Sequence, residues 1–262
     1  MEIFKELNAI YTVAIRDITK YLRDGSRLVI SLIFPLIFIG VLGTSLSANL
    51  SESAGYNLLL FTFVGVMAQT LFQSTAMGIM SLIEDRQNDF AQELFVTPVS
   101  RVSILIGKIF GESLVSYLQV LGIILIGFII GIPMSFTQII TTLIAGLVIA
   151  LFGGSFGVMV LGNFLDQKTA SQFFPFIMFP QMFLSGIFNP IKNLPWYLSI
   201  ASKISPMTYA IDLIRNVFYF NSPVKDQVVL FTLEFDLFII LLLTLIFLSV
   251  GTIIFIKKQR NL

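Results

Sequence analysis

The sequence contains no cysteine and no histidine, and charge is scarce: only 12% of its 262 residues are Asp, Glu, Lys or Arg. Without Cys there is no disulfide and no thiol nucleophile. Without His there is no imidazole base, and a zinc site of the usual kind loses its ligands. Only carboxylates remain to carry acid–base chemistry. The charged fraction is about half that of an average soluble domain. By contrast, 56% of the residues are hydrophobic and 27 are Phe, and the mean hydropathy is +0.92. Too few polar residues remain to cover a globule, so the chain reads as an integral membrane protein. Its 16 basic residues nearly cancel its 15 acidic ones, a balance that argues against a nucleic-acid partner.

The few charges punctuate the chain. None falls between Arg27 and Glu52, Glu52 and Glu84, Glu112 and Asp166, Lys168 and Lys192, or Asp236 and Lys257. A bilayer core takes about 20 apolar residues in a helix, so the longest of these runs holds two spans, broken at Gly131-Ile132-Pro133-Met134-Ser135. Six spans result, at 28–47, 57–82, 104–131, 137–165, 169–189 and 236–256, in one all-α transmembrane domain covering 1–262. Twelve of the sixteen basic residues then lie on the side of the termini, leaving Lys192, Lys203, Arg215 and Lys225 opposite. The positive-inside bias makes both termini cytoplasmic. Residues 1–26 are not a cleavable signal, because acids and bases interleave and no apolar core precedes residue 28. Phe4, Leu7, Tyr11, Ala14, Ile18 and Tyr21 recur at helical spacing instead, the pattern of an amphipathic helix lying in the cytoplasmic interface before the chain turns in at Gly25.

Three segments depart from plain spans. The loop 84–101 is the longest cytoplasmic connection, and it is locally acidic where the positive-inside rule expects bases. From Glu84 on, Asp85, Asp89, Gln92 and Glu93 mark its polar side, Phe90, Leu94 and Phe95 its apolar side, and Pro98 stops the helix before Arg101. That is the pattern of a protein-docking knob. Next, Lys108 and Glu112 are neighbours one turn apart at the start of the third span. Two readings stay open: a self-neutralising structural pair, or an intramembrane functional site. Finally, 190–235 is too polar to span and too apolar for a free loop. It holds Pro190, Pro195, Trp196 and Pro206, and then Asp212 and Arg215 three residues apart. A re-entrant or surface-lying hairpin on the external face fits, and makes it a gate candidate. Phe61, Gln69 and Gln73 in the second span, with Phe174, Phe179 and Phe183 in the fifth, are candidate path-lining residues. The spacings Gly107/Gly111, Gly127/Gly131 and Gly153/Gly157 suggest close helix contacts.

Taken together, the pattern resembles permease subunits of type 2 ATP-binding cassette (ABC) exporters over nearly the whole chain. Two stretches carry the resemblance. Glu93-Leu94-Phe95-Val96-Thr97-Pro98-Val99-Ser100-Arg101 is similar to the family's acid–Leu–x–x–Thr–Pro segment. Leu184-Ser185-Gly186-Ile187-Phe188-Asn189-Pro190 with Ile204-Ser205-Pro206-Met207-Thr208-Tyr209 is similar to the signature after the fifth helix. The Thr-Pro form and the short first external loop lean toward the drug and antibiotic exporter branch. The resemblance implies six helices, with 84–96 as a coupling helix seated in an ATPase cleft. It implies no catalytic residue, cofactor or metal in this chain, with ATP and Mg on two copies of a separate ATPase subunit. A second permease copy, identical or homologous, would complete the path. The setting implied is a cell membrane, prokaryotic in type. The chain itself has no G-x-x-x-x-G-K-[ST] phosphate loop.

Three alternatives stand beside that reading. A polysaccharide or lipid-linked glycan exporter would use aromatic stacking near Trp196 and Tyr197. A proton-coupled secondary transporter would rest on Glu112. A membrane enzyme would rest on Glu84, Asp85 and Asp89, whose spacing matches no metal motif.

Overall fold

The computed structural model describes residues 2–87, 100–162, 164 and 166–259. Among them it is all helix, with no strand. α1 (Glu2–Arg23) is followed by α2 (Gly25–Ile37), a six-residue π turn at Phe38–Gly43, and α3 (Thr44–Ala54). α4 (Leu58–Gly78) and the short α5 (Met80–Gln87) lead toward 88–99; α6 (Arg101–Ile129) and α7 (Phe136–Leu161) follow. Then come α8 (Gln167–Leu184), α9 (Trp196–Ile204), α10 (Pro206–Phe218), α11 (Lys225–Val228) and α12 (Leu233–Gln259).

Side chains that satisfy the first orphan amides of each helix set the boundaries. Asp24 accepts from the Arg27 amide, so α1 and α2 meet at a single-residue joint and Gly25 already belongs to α2. Asn57 caps α4, Ser100 caps α6, and Asp166 accepts from the Lys168 and Thr169 amides to open α8. The expected break in the long uncharged run is where the glycine and serine put it. Gly131 takes φ +78°, and Ser135 forms a reciprocal capping box with Gln138. Pro35 lies inside α2 just ahead of the π turn, which takes up the register disturbed by the missing N–H.

Among the described residues, five stretches are long and apolar enough to cross a membrane: Gly25–Asn49, Leu58–Asp85, Val102–Ile129, Phe136–Leu161 and Lys225–Phe255. They match five of the six expected spans. The stretch expected at 169–189 folds as the 18-residue α8. Lys168, three glutamines and two prolines leave it less apolar than the others.

α4 is the hub, packed by α6, α7 and α10, with 78% of its apolar window buried, whereas α12 buries only 17% of its own. Glycines allow the closest approaches. A Cβ on Gly153 would stand 2.2 Å from the Phe72 carbonyl oxygen, and one on Gly157 would stand 2.5 Å from that of Ala76, so α7 and α4 touch backbone to backbone. Gly107 and Gly111 do the same for α1 against α6, facing Ile10, Val13, Ala14 and Asp17. Gly127 abuts the Phe63 ring, but Gly131 meets nothing within 4 Å and serves the turn alone.

The face expected on α1 is divided. Val13, Ala14, Asp17 and Tyr21 are buried, while Phe4, Leu7 and Tyr11 are exposed. α1 is therefore a docked helix with a second, outward apolar stripe.

Candidate functional site

One end of the bundle gathers an ionic lattice around the root of segment 88–99. Lys108 on α6 is 1% exposed. Its Nζ donates to Asp17 Oδ2 of α1 at 2.7 Å and lies 3.2 Å from Glu112 Oε1 one turn along. Glu112 is 2% exposed. Its other oxygen is 3.6 Å from Arg27 Nη2 at the start of α2, and the Ser81 hydroxyl of α5 donates to Oε1 at 3.3 Å. Further out, Arg16 of α1 bridges Asp17 at 3.2 Å and also Asp85 of α5. Lys20 pairs with Glu84 at 3.3 Å. Four cations face four anions, drawn from α1, α2, α5 and α6.

The lattice is graded in strength. Stripping one member from the buried Asp17–Lys108–Glu112 core leaves an uncompensated charge and costs about 3–5 kcal/mol. The Lys20–Glu84 pair, with side chains 50% and 35% exposed, belongs to the class worth about 0–1 kcal/mol. On Arg16, burial opposes the charge, but the Asp85 and Asp17 carboxylates outweigh it and hold the guanidinium above its ordinary value. Glu6 ties the other end of α1 to the opening of α6. Its carboxylate accepts from the Ser100 amide at 3.0 and 3.2 Å. Hydrogen bonds from Ser103 and Ser100 hold it below the usual carboxylate range.

The open Lys108/Glu112 question therefore has a structural half-answer: the pair is the centre of a larger network. Sequence reasoning missed Asp17, Arg16, Arg27 and Ser81. The signal for Asp17 was there, an acid between Ala14 and Tyr21 on the face that packs inward. Of the expected coupling residues, Glu84 lies on α5, and Arg101 opens α6. Asp89, Phe90, Glu93, Leu94, Phe95 and Pro98 lie outside the described residues.

At the opposite end, α10 cross-ties three elements. Arg215 Nη2 donates to the carbonyls of Gly186 at 2.7 Å and Ile187 at 3.3 Å, and its guanidinium lies 3.6 Å over the Phe61 ring. Gly65 leaves room for it: a Cβ there would be 3.2 Å from Nη2. Asp212 turns the other way and accepts from the Leu230 and Phe231 amides at 2.8 and 2.7 Å. Asn216, unremarked in the sequence, donates to the Phe231 carbonyl and to Asp236 Oδ2 at the head of α12. Asp212 and Arg215 are thus two separate anchors. Pro190 precedes a 3-10 turn, Pro195 precedes α9, and Pro206 is the first residue of α10. Trp196 is 76% exposed and meets Tyr197 edge-on at 5.9 Å.

The candidate path residues divide by burial. Phe61, Gln69 and Phe174 are buried within the protomer, whereas Phe179 and Phe183 are exposed along α8. Gln73 is half-buried and accepts from Gln69 Nε2 at 3.0 Å.

A model of the ABC-2 type transporter family matches residues 8–219, from within α1 to just past α10. The protein named "Putative transport permease ycf38" from Cyanophora paradoxa is 29% identical over 211 residues, covering 79% of this chain and 72% of that protein. With that match over most of its length, and with an all-helical bundle carrying several apolar spans, the chain belongs to the ABC-2 type transporter family and is a membrane permease.

Proposed function

We propose that the chain is the membrane subunit of an ATP-driven exporter, assembled as two permease copies on two cytoplasmic ABC ATPase subunits. The observation that carries this is the ionic lattice, which joins α1, α2, α5 and α6 at the root of 88–99. A segment that receives force from another subunit needs stems that move together, and a charge-balanced set with a buried core supplies that without exposing net charge to lipid. In this reading both termini are cytoplasmic, α1 lays its outer stripe of Phe4, Leu7 and Tyr11 into the inner interface, and α8 makes the sixth crossing.

α8 also points to a second copy. Lys168, Thr169, Ser171 and Gln172 are exposed at its start and Phe173, Phe176, Phe179 and Phe183 beyond. An ammonium and an amide, those of Lys168 and Gln172, are poor partners for acyl chains, so this face suits a partner permease or a polar path, with Gln69 and Gln73 on α4 as its amide-bearing wall. The cargo is a hydrophobic or amphipathic compound, and the Trp196–Tyr197 pair at the external end admits a glycan-bearing one. Glu112 is placed as a strut between cations and is almost fully enclosed, which suits it less to carrying protons to and from water. Residues 84–101 dock on the ATPase.

The test is to isolate the chain in mild detergent from its native membrane and weigh the intact complex. Two permeases with two ATPase chains support the reading. A lone permease after gentle cross-linking refutes it and turns attention to Glu112 as a proton carrier.

A further inference from the structure

Two carboxyls meet inside the end of the bundle that lies opposite the ionic lattice. Asp212 of α10 is 3% exposed, and Asp236, in the first turn of α12, is fully buried. Their side chains lie within hydrogen-bonding reach of one another. Two carboxylates have no hydrogen to share, so the contact requires a proton on one of them. Both oxygens of Asp212 already accept, from the Leu230 and Phe231 amides at 2.8 and 2.7 Å, which makes Asp212 the acceptor. On Asp236, Oδ2 accepts from Asn216 Nδ2 at 2.8 Å, and Oδ1 is buried with no donor among the described residues. Oδ1 is where a hydroxyl is needed.

The groups around the pair suit one proton and oppose a metal ion. The N–H groups of Leu230, Phe231 and Asn216 all turn hydrogen toward the carboxyls, and a bound cation would meet them. Arg215, three residues along α10, acts on Asp212. Tyr209 of the same helix stands near Asp236, and its hydroxyl donates to the Lys203 carbonyl of α9 at 2.7 Å. Of the other helices packed on α10, α4 and α7 carry no ionisable side chain, and Lys168 of α8 sits at the end of that helix away from Arg215. Lys192 bonds the Asp226 carbonyl, and Lys225, Asp226 and Glu234 reach solvent. One buried cation thus balances one carboxylate but not two. Burial pushes the Asp212 carboxyl above its ordinary value, against Arg215 and the two amides.

We propose that Asp212 and Asp236 are a proton site, in which one proton on Asp236 Oδ1 latches residues 229–232 and the head of α12 to α10. Hydroxide removes that proton as water and leaves two buried carboxylates that repel, so the latch opens. A narrow cleft bordered by Lys192, Thr208, Asp212, Gln227 and Leu230 gives water its access to Asp212. Because the Asp212 carboxyl is raised on folding, the latch contributes in full below the ordinary carboxylate value and is lost as pH rises through the raised one. On the exporter reading this end faces outside and the site answers to external pH; the site itself needs no ATPase.

The purified chain in detergent serves for the test. Its infrared spectrum at neutral pH should show the carbonyl stretch of a protonated carboxylic acid, shifted in heavy water. Asp236→Asn should remove that band, and Glu234→Gln, at an exposed neighbour, should leave it. Protection of the Leu230 and Phe231 amides, taken relative to intrinsic exchange at each pH, should fall several-fold from mildly acidic to alkaline pH. In Asp236→Asn an amide N–H stands in for the hydroxyl, so protection should stay high and lose its pH dependence. Absence of the acid band from the unaltered protein overturns the proposal without any variant, as does a band that survives Asp236→Asn or protection that is flat with pH. Calcium or magnesium that restores protection at alkaline pH, in a protein with no acid band, makes the pair a cation site instead.

Discussion

Lys108 has no water to fall back on, and that decides what its replacement does. In Lys108→Met, Asp17 and Glu112 keep their places but lose their shared cation. The penalty is about 3–5 kcal/mol, read as a lower midpoint in a denaturant or thermal scan of the detergent-solubilised protein. Adding Asp17→Asn to Lys108→Met removes the buried acid that is left with the part-exposed Arg16 alone, and recovers a large part of the loss, since Glu112 still has Arg27. If the double variant is as unstable as the single one, the core is held by packing and not by charge pairing. Glu6 gives a milder case with a definite sign. Its folded-state pKa lies below the ordinary carboxylate value, so its tie to Ser100 contributes fully above that ordinary value and is lost as pH falls through the depressed one. The protection of the Ser100 and Ser103 amides, taken relative to intrinsic exchange at each pH, should therefore fall on acidification in the unaltered protein. Glu6→Gln should already be poorly protected at neutral pH and lose that dependence.

Between elements, the distance from a missing Cβ to its neighbour separates glycines that look alike in sequence. Gly153→Ala drives a methyl into the Phe72 backbone, which cannot yield as a side-chain tip can. Overpacking of that kind costs about 1–3 kcal/mol, and the α4–α7 contact should loosen. Gly40→Ala, with nothing within 4 Å, belongs with substitutions that change stability by about 0.5 kcal/mol or less. Unfolding temperatures of the two variants, measured side by side, check the contrast; equal losses would mean that the crossing has slack. This also marks what was legible in advance. Charge-free runs place five spans because bilayer thickness imposes one length on every crossing, and serine, aspartate and glycine place their ends. Which of the spaced glycine pairs touches a neighbour was not legible. Gly127/Gly131 reads like Gly153/Gly157, yet Gly131 is a turn residue at positive φ. Equally hidden was the break at Gly78, because a charge-free run gives no sign that a carboxylate from another span will lie against it. The charged site was half legible: Lys108 and Glu112 stand out as ions in an apolar run, but Asp17 and Arg27 join them only through the docking of α1 on α6.

For the assembled molecule, the contrast between α8 and α12 carries the argument. Both leave much of their surface uncovered in the protomer. The stretch containing α12 is the most apolar of the candidate spans, so acyl chains satisfy it fully and it needs no protein neighbour. α8 presents exposed hydroxyls and amides beside its Phe stripe and is the least apolar of the long helices past α1. The Thr169 and Ser171 hydroxyls bond to Asp166 and the Lys168 carbonyl within the protomer, but lipid would strand the Gln172 amide, whereas a second copy or a polar path would not. A single Phe176→Cys, at a position 78% exposed, should therefore cross-link two copies in the membrane with a short bifunctional thiol reagent. Leu245→Cys on α12, 64% exposed, should not. The chain has no other thiol, so a band at twice the monomer mass can come only from the introduced site. Cross-linking at Leu245 and none at Phe176 would place the subunit interface on the last span and return α8 to the lipid. The Ser171 hydroxyl would keep its bond to the Lys168 carbonyl, and the exposed Gln172 amide would have to find its partners at the membrane interface.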